Sequence, residues 1–405
     1  MRYLPASLFN ELFRASGNVH QRVTMSELFF DLVYAFAITQ LASMLINRLT
    51  LGGALETALL VLAVWWAWMY TAWFVNWLDP DKRPVRIMLF TVMGLSLLMS
   101  ALLPKAFGAH GSAFAITYVV TQLSRTVFMI LATDGDRALR RNFQRILFWF
   151  ICSGVLWVLG GLAGGAARDA LWLAAIAVDF AGPVARFATP GLGRSQTTDW
   201  TISGGHLAER CQLFVLIVLG ETIVDTGAAF SAYDIGLWES IAMITAFAGS
   251  AGFWWIYFDR SAGLSGHLIE SANDPGRIGR SVYVYWQLPM IAGILISAVG
   301  DQLTIGQPRG DTSLATALVT LGGPALFIWG HYMFTRVTFE RSEVPAFVAL
   351  LFLLVCLPLA IVLPPVAMGM LSTLAVLGIV VQMVRKLPEL AGEAEPVGSS
   401  TEAAA

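Results

Sequence analysis

Charge is scarce in this sequence. Lys, Arg, Asp and Glu make up 13% of its 405 residues, about half of what a soluble domain needs to clothe its surface. The shortage excludes an ordinary water-soluble globule and points to lipid as the solvent. Clustered positive charge is missing too. With a formal net charge of −2 and no long Lys/Arg run, the electrostatic footprint of a nucleic-acid binder is absent, and no nucleic-acid partner is assigned. Cysteine is sparse: Cys152, Cys211 and Cys356 stand apart without CxxC or CxxH spacing and read as buried thiols in apolar helices. The HExxH, GxSxG and GxxxxGK(S/T) patterns do not occur, so zinc-protease, serine-protease and P-loop ATPase readings fall. No cofactor is implied. The first 26 residues lack an apolar run ending in a small-residue cleavage site, so a removed leader is not expected. There, Leu8, Phe9, Leu12 and Phe13 could form a short amphipathic interfacial helix.

What the chain does hold is oil: 57% of residues are hydrophobic and the mean hydropathy is +0.69. A bilayer core of about 30 Å takes about 20 apolar residues per helix, and helices satisfy their own backbone there. Spans are expected near 27–47, 54–78, 85–104, 112–133, 143–164, 170–189, 206–229, 238–259, 280–300, 312–335, 344–363 and 366–386, with Pro364-Pro365 as the last tight hairpin. The fold class is therefore an all-α polytopic membrane bundle of about 12 helices.

Basic residues set the orientation, because cytoplasmic loops collect Lys and Arg. Threading the spans from an internal N-terminus leaves only Arg48, Lys105, Arg168 and Arg309 outside, with Arg125 and Arg210 in or at the edge of helices and the other nineteen of 25 inside. The expectation is a multi-pass protein of the cytoplasmic (inner) membrane with both termini in the cytoplasm. An internal repeat is also legible. Glu27-Leu-Phe-Phe-Asp31 opens the first span and Glu209-Arg-Cys-Gln-Leu213 the seventh, and Trp65-Trp66-Ala67-Trp68 in the second span echoes Trp254-Trp255-Ile256-Tyr257 in the eighth. Six spans per half makes the two repeats parallel. The division expected is a cytoplasmic segment 1–26, a first repeat 27–189, a linker 190–205, a second repeat 206–386 and a disordered tail 387–405.

Ionisable groups inside hydrocarbon cost several kcal/mol unless paired or hydrated, which makes each a functional candidate. Glu27 and Asp31 lie one helical turn apart on one stripe of the first span, with Gln40 beyond them. Glu209 and Arg210 open the seventh span, and Arg210, Glu221 and Asp225 share one face of it. Gln122 and Arg125 lie in the fourth span, while Asp179 lies in the sixth with Pro183, which could free carbonyls toward a cavity. Arg125 calls for an acidic partner, with Asp31, Asp179 and Glu221 as candidates. The blander alternative is that these groups form buried ion pairs that only fix packing, with Glu27 and Glu209 solvated near the interface. Gly160-Gly161, Gly164-Gly165 and Gly249 with Gly252 are spaced for close helix contact. His206 with Glu209 and His267 with Glu270 have metal-ligand spacing but lack further clustered ligands.

The tract Glu27-Leu-Phe-Phe-Asp-Leu-Val-Tyr-Ala-Phe-Ala-Ile-Thr-Gln-Leu41 resembles the first-helix signature of the bacterial low temperature requirement A family. Trp65 to Trp68 through Asn76-Trp77-Leu78-Asp79 resembles its second-helix motif, Arg86 through Met99-Ser100-Ala101 its third, and Glu209 to Val218-Leu219-Gly220-Glu221 its second-half signature. The resemblance implies a multi-pass cytoplasmic-membrane protein linked to growth in the cold, in a family named for a phenotype. A looser similarity to endolysosomal potassium channels lies in the Phe-rich, Asp-containing start of the first span, although Leu213 stands where the second Asp would fall.

The expected function is a transporter or channel for an ion or small solute, with a pathway lined by Glu27, Asp31, Gln40, Arg125, Asp179, Glu209, Arg210, Glu221 and Asp225. Proton coupling through Asp31 or Glu221 is the mechanism envisaged. The partners expected are the lipid bilayer and that solute, with oligomerisation open. The alternative is a membrane-embedded enzyme acting on lipid or a lipid-linked substrate with paired carboxylates as acid and base. Altered lipids in a deletion strain would favour the enzyme; altered ion or solute contents would favour transport.

Overall fold

Thr24 starts the first membrane helix. Its hydroxyl accepts from the Glu27 N–H while the Glu27 carboxylate reaches back to the Thr24 N–H, so a capping box satisfies amides that would otherwise be left bare. The computed structural model describes residues 12–14, 22–133, 135–196, 203–259, 280–339 and 344–385. Among the described residues it contains twelve long helices: α1 Met25–Asn47, α2 Leu51–Trp77, α3 Arg83–Leu102, α4 Gly111–Ala132, α5 Arg137–Leu162, α6 Gly165–Val184, α7 Gly204–Ala232, α8 Leu237–Phe258, α9 Gln287–Gly306, α10 Leu314–Phe339, α11 Val344–Cys356 and α12 Pro365–Arg385. Eleven of them, with their short 3-10 or π extensions, are long and apolar enough to cross a membrane; the exception is α6, which holds Arg168, Asp169 and Asp179. The protein is an all-α, multi-pass membrane bundle.

The helices overlay the expected spans with small shifts at the ends. The expected 280–300 begins as a π-helical turn over Arg280–Trp286 before α9. The expected 344–363 stays α-helical only to Cys356 and then tightens into 3-10 turns over Leu357–Ile361, because Pro358 has no N–H to continue the ladder. Leu12 lies in a turn and Phe13 in an isolated bridge rather than in a helix: Phe13 bridges to Leu78 antiparallel, and Arg14 N–H donates to Trp77 O at 2.9 Å. Leu8, Phe9, His267, Glu270 and the tail 386–405 lie outside the described residues.

Around the centre, α2 touches α1, α4, α6, α7 and α9. Its Trp65, Trp66 and Trp68 are buried, whereas Trp254 and Trp255 on α8 are 45% and 40% exposed. Contacts between α1–α6 and α7–α12 run through α1 and α2 against α7 and α9. The order of contacts fixes the direction of one of these pairs. Asp31 meets Arg210, Tyr34 meets Phe214 and Thr39 meets Glu221, so α1 and α7 run parallel.

Glycines set the closest helix approaches. A Cβ on Gly160 would fall 2.4 Å from Trp172, one on Gly161 2.9 Å from Ala115, and one on Gly252 2.5 Å from Val376, as their spacing suggested. Gly164 and Gly165 have open space instead, and Gly165 serves a turn with φ of +54°. A backbone-against-backbone pairing was not anticipated: on α9 and α10, a Cβ on Gly293 would meet the Phe327 backbone at 2.5 Å and one on Gly323 the Ser297 backbone at 2.5 Å. Cys152 is exposed on the outside of α5, correcting its expected burial, while Cys211 and Cys356 are buried. Gly293→Ala should cost about 1–3 kcal/mol by forcing backbones apart, while Gly378→Ala on α12, with nothing within 4 Å, should be neutral. Thermal unfolding in detergent checks both, and equal melting temperatures would rule out the close α9–α10 contact.

Candidate functional site

The first turns of α1 and α7 face each other across a buried ion cluster. Glu27 is fully buried, not solvated. Its Oε2 accepts from Thr24 N at 2.8 Å, Thr24 Oγ1 at 2.9 Å and Arg14 Nη2 at 3.0 Å. Its Oε1 lies 2.9 Å from His206 Nε2 and 3.4 Å from Arg210 Nη1. One turn deeper, Asp31 Oδ1 accepts from Arg210 Nη2 at 2.6 Å and from Trp68 Nε1 at 2.8 Å. The Arg210 guanidinium also lies 5.8 Å from the Trp68 ring and 6.0 Å from Phe30, within cation–π range.

Neighbouring elements hold the cluster in register. Asn76 at the end of α2 donates from Nδ2 to Ser203 O at 2.9 Å and accepts from Ser203 N at 2.8 Å. That fixes its amide orientation, so Nδ2 is the atom facing His206 Nδ1 at 3.2 Å. Nδ1 therefore accepts, while Nε2 lies 2.9 Å from Glu27 Oε1 and 3.1 Å from Arg14 Nη2. Arg14 donates from Nε to Val75 O at 3.0 Å and Leu78 O at 3.1 Å, tying the N-terminal segment to the end of α2. Two guanidinium groups thus face two carboxylates, with a neutral imidazole between them.

Above this cluster the seam turns aromatic. Phe214 of α7 packs against Trp68 at 4.2 Å, Trp65 at 5.9 Å and Tyr34 at 6.4 Å between ring centroids. Beyond the rings the seam becomes polar again: Thr39 Oγ1 hydrogen-bonds to Glu221 Oε1, and Asp225, half-buried, follows one turn later. Gln40 is half-buried beside Thr39, and Glu209 is half-buried beside Arg210.

Arg125 and Asp179 stand apart, inside α1–α6. Arg125 is fully buried and has no carboxylate within 4 Å among the described residues, so the expected acidic partner is corrected. Its Nη1 donates to Ala67 O and to Thr71 Oγ1, each at 2.7 Å, and its charge is flanked by the rings of Tyr70, Phe74 and Phe150 at 5.3–5.9 Å. Thr71, bonded to its own helix, and the aromatic faces substitute for an anion. Asp179 Oδ2 accepts from Tyr118 Oη at 3.1 Å and Trp157 Nε1 at 3.2 Å, and Gln122 Nε2 donates to Tyr118 Oη at 2.9 Å. Pro183 sits in the last turn of α6, where Gly182 O accepts from Phe187 N, so the helix ends there rather than opening onto a cavity.

The nine expected residues thus fall into separate groups. Glu27, Asp31 and Arg210 form the ion cluster, with Glu209 at its margin. Glu221, Asp225 and Gln40 lie on α1 and α7 beyond the aromatic layer, and Arg125 and Asp179 lie in the first half. Arg14, Trp68, Asn76 and His206 were missed. A signal for them existed: the acids Glu27 and Asp31 and the basic-type residues His206 and Arg210 each sit four apart, so two complementary stripes could match across parallel helices. Among the described residues no three His, Cys, Asp or Glu side chains gather as a metal site requires.

Residues 22–381 match the family pattern of the bacterial low temperature requirement A protein (LtrA). The chain belongs to that family. An uncharacterized protein of Rhizobium meliloti (strain 1021) is 36% identical to it over 329 residues, which span 80% of each chain. No solved structure matches it. The LtrA match spans both α1 and α7, and therefore both sides of the ion cluster.

Arg210→Met should cost about 3–5 kcal/mol by leaving two buried carboxylates short of a cation. Pairing it with Asp31→Leu should recover much of that loss. Denaturant unfolding in detergent measures both, and a single-variant cost below about 1 kcal/mol would mean the pair behaves like an exposed one.

Proposed function

We propose that this LtrA-family protein moves an ion or small solute along the seam between α1 and α7, with a proton as the coupling ion. In this reading the two halves, 27–189 and 206–386, are parallel six-helix repeats, both termini face the cytoplasm, and the membrane is the cytoplasmic one. The observation that carries the proposal is the layering of the seam. A buried cluster of Glu27, Asp31, Arg210 and His206, an aromatic layer around Phe214, and a second acidic layer of Glu221 and Asp225 follow one another along one helix pair.

Physical cost supports it. Buried ion pairs often contribute less than a well-packed apolar replacement would, and polar groups at membrane depth commonly mark pathways. The chemistry follows from the partners. Protonating Asp31 removes the charge that holds Arg210, releases α7 from α1 at that level, and lets the Phe214 layer part. Glu221, which faces a hydroxyl rather than a cation, is placed to take or give a proton on the far side of the rings. Gln40 and Asp225 supply neighbouring polar contacts for a solute, and Arg125 with Asp179 keeps the first half rigid against the movement.

Purified protein in proteoliposomes, screened for proton and ion fluxes, tests the reading. Wild type should carry a flux that depends on pH, and Asp31→Asn and Glu221→Gln should each remove that dependence. Phe214→Ala should raise the basal leak by opening the aromatic layer. A Glu221→Gln protein with unchanged flux and unchanged pH dependence ends the proton-coupling idea.

A further inference from the structure

The end of the bundle opposite the α1 N-terminus holds a half-open cavity of about 490 Å³, lined by Met44 and Arg48 at the end of α1 and by Pro104, Lys105, Gly108 and His110 of the α3–α4 hairpin. Its volume lies in the roughly 300–1,000 Å³ range of small-molecule sites. Arg48, Lys105 and His110 give it three basic side chains, yet only four of the chain's 25 Lys and Arg are expected on that side of the membrane. Arg48 is paired with Glu56, while the exposed Lys105 ammonium has no ion pair among the described residues. No acidic residue occurs between Arg86 and Asp134, so the hairpin supplies no neutralising carboxylate.

Behind the hairpin lies a fourth cation. Arg168 of α6 is buried, and its guanidinium donates to the carbonyls of Ala106 at 3.0 Å, Gly108 at 2.8 Å, Gly160 at 3.2 Å and Ala163 at 2.8 Å. Within ion-pair distance it meets no carboxylate among the described residues. It corrects the expectation of a loop arginine: it clamps the hairpin in one shape and keeps its positive charge next to the cavity. Gly111 leaves the space, since a Cβ there would fall 2.5 Å from the Arg168 Cζ.

We propose that this cavity binds the phosphodiester of an anionic phospholipid headgroup. A compact anion suits the unpaired Lys105 and the uncompensated charge behind it, and the apolar Met44 and Pro104 suit the glycerol and upper acyl region beside it. None of the seam residues takes part, so the site and the transport reading stand or fall separately.

Full-length protein, stripped of lipid in detergent, is offered phosphatidylglycerol or phosphatidylcholine and examined by native mass spectrometry, with inorganic phosphate tested by thermal shift. Phosphatidylglycerol should be retained about fivefold or more over phosphatidylcholine, the effect of roughly one basic residue at an anionic surface. Lys105→Ala and Lys105→Glu should erase the preference without lowering the melting temperature, since that side chain is exposed. Protection by inorganic phosphate that is lost in Lys105→Ala, without lipid preference, would overturn the lipid assignment in favour of a soluble anion. Equal retention of the two lipids with no phosphate effect, or a preference unchanged in both variants, overturns the site altogether.

Discussion

A carboxylate and a guanidinium, both removed from water, hold the centre of this bundle together. The Asp31–Arg210 contact at 2.6 Å joins α1 to α7, and the elements around it are placed so that neither charge is stranded. Trp68 of α2 donates to the same carboxylate oxygen, Asn76 orients His206, and Arg14 brings the segment before α1 back to the end of α2. Removing one member of such a group leaves a desolvated charge, which is far costlier than the pair itself is favourable. The register of α1 against α7 therefore follows from electrostatics rather than from apolar packing, which in lipid has little power to choose between helix faces.

The two halves solve their interiors differently. In α1–α6, buried polar groups such as Arg125, Asp179, Tyr118 and Gln122 are answered by hydroxyls, carbonyls and rings. In α7–α12 the closest contacts are backbone against backbone, through Gly293 and Gly300 on α9 and Gly323 and Gly330 on α10. The tryptophans show the same divergence, buried on α2 and partly exposed on α8. The buried ion cluster lies on the α1–α2–α7 side.

Particular residues show why part of the site was readable. Glu27, Asp31 and Arg210 are conspicuous because ionisable groups in apolar runs are costly wherever they point. Their partners were less visible. His206 and Asn76 are unremarkable near a helix end, Trp68 is one of several neighbouring tryptophans, and Arg14 follows residues that read as amphipathic helix, of which Phe13 instead forms a bridge to Leu78. Arg125 misled because a charge suggests a countercharge, whereas aromatic faces and a threonine met its needs. Lys105 and Arg168 were both expected outside, but only the folded hairpin shows that one is exposed at a cavity and the other buried behind it.

Composition and the period of the apolar runs settled the helical class, the number of long helices and their approximate ends, because a bilayer imposes length and backbone satisfaction on each segment separately; the family resemblance came from particular motifs such as the tract from Glu27 to Leu41. Tertiary structure decided which stripe faces which: that α1 runs parallel to α7, that Glu27 and Asp31 meet His206 and Arg210, and that Glu221 meets Thr39. Those pairings join residues some 180 positions apart, and local periodicity contains no information about a neighbour brought in from another helix.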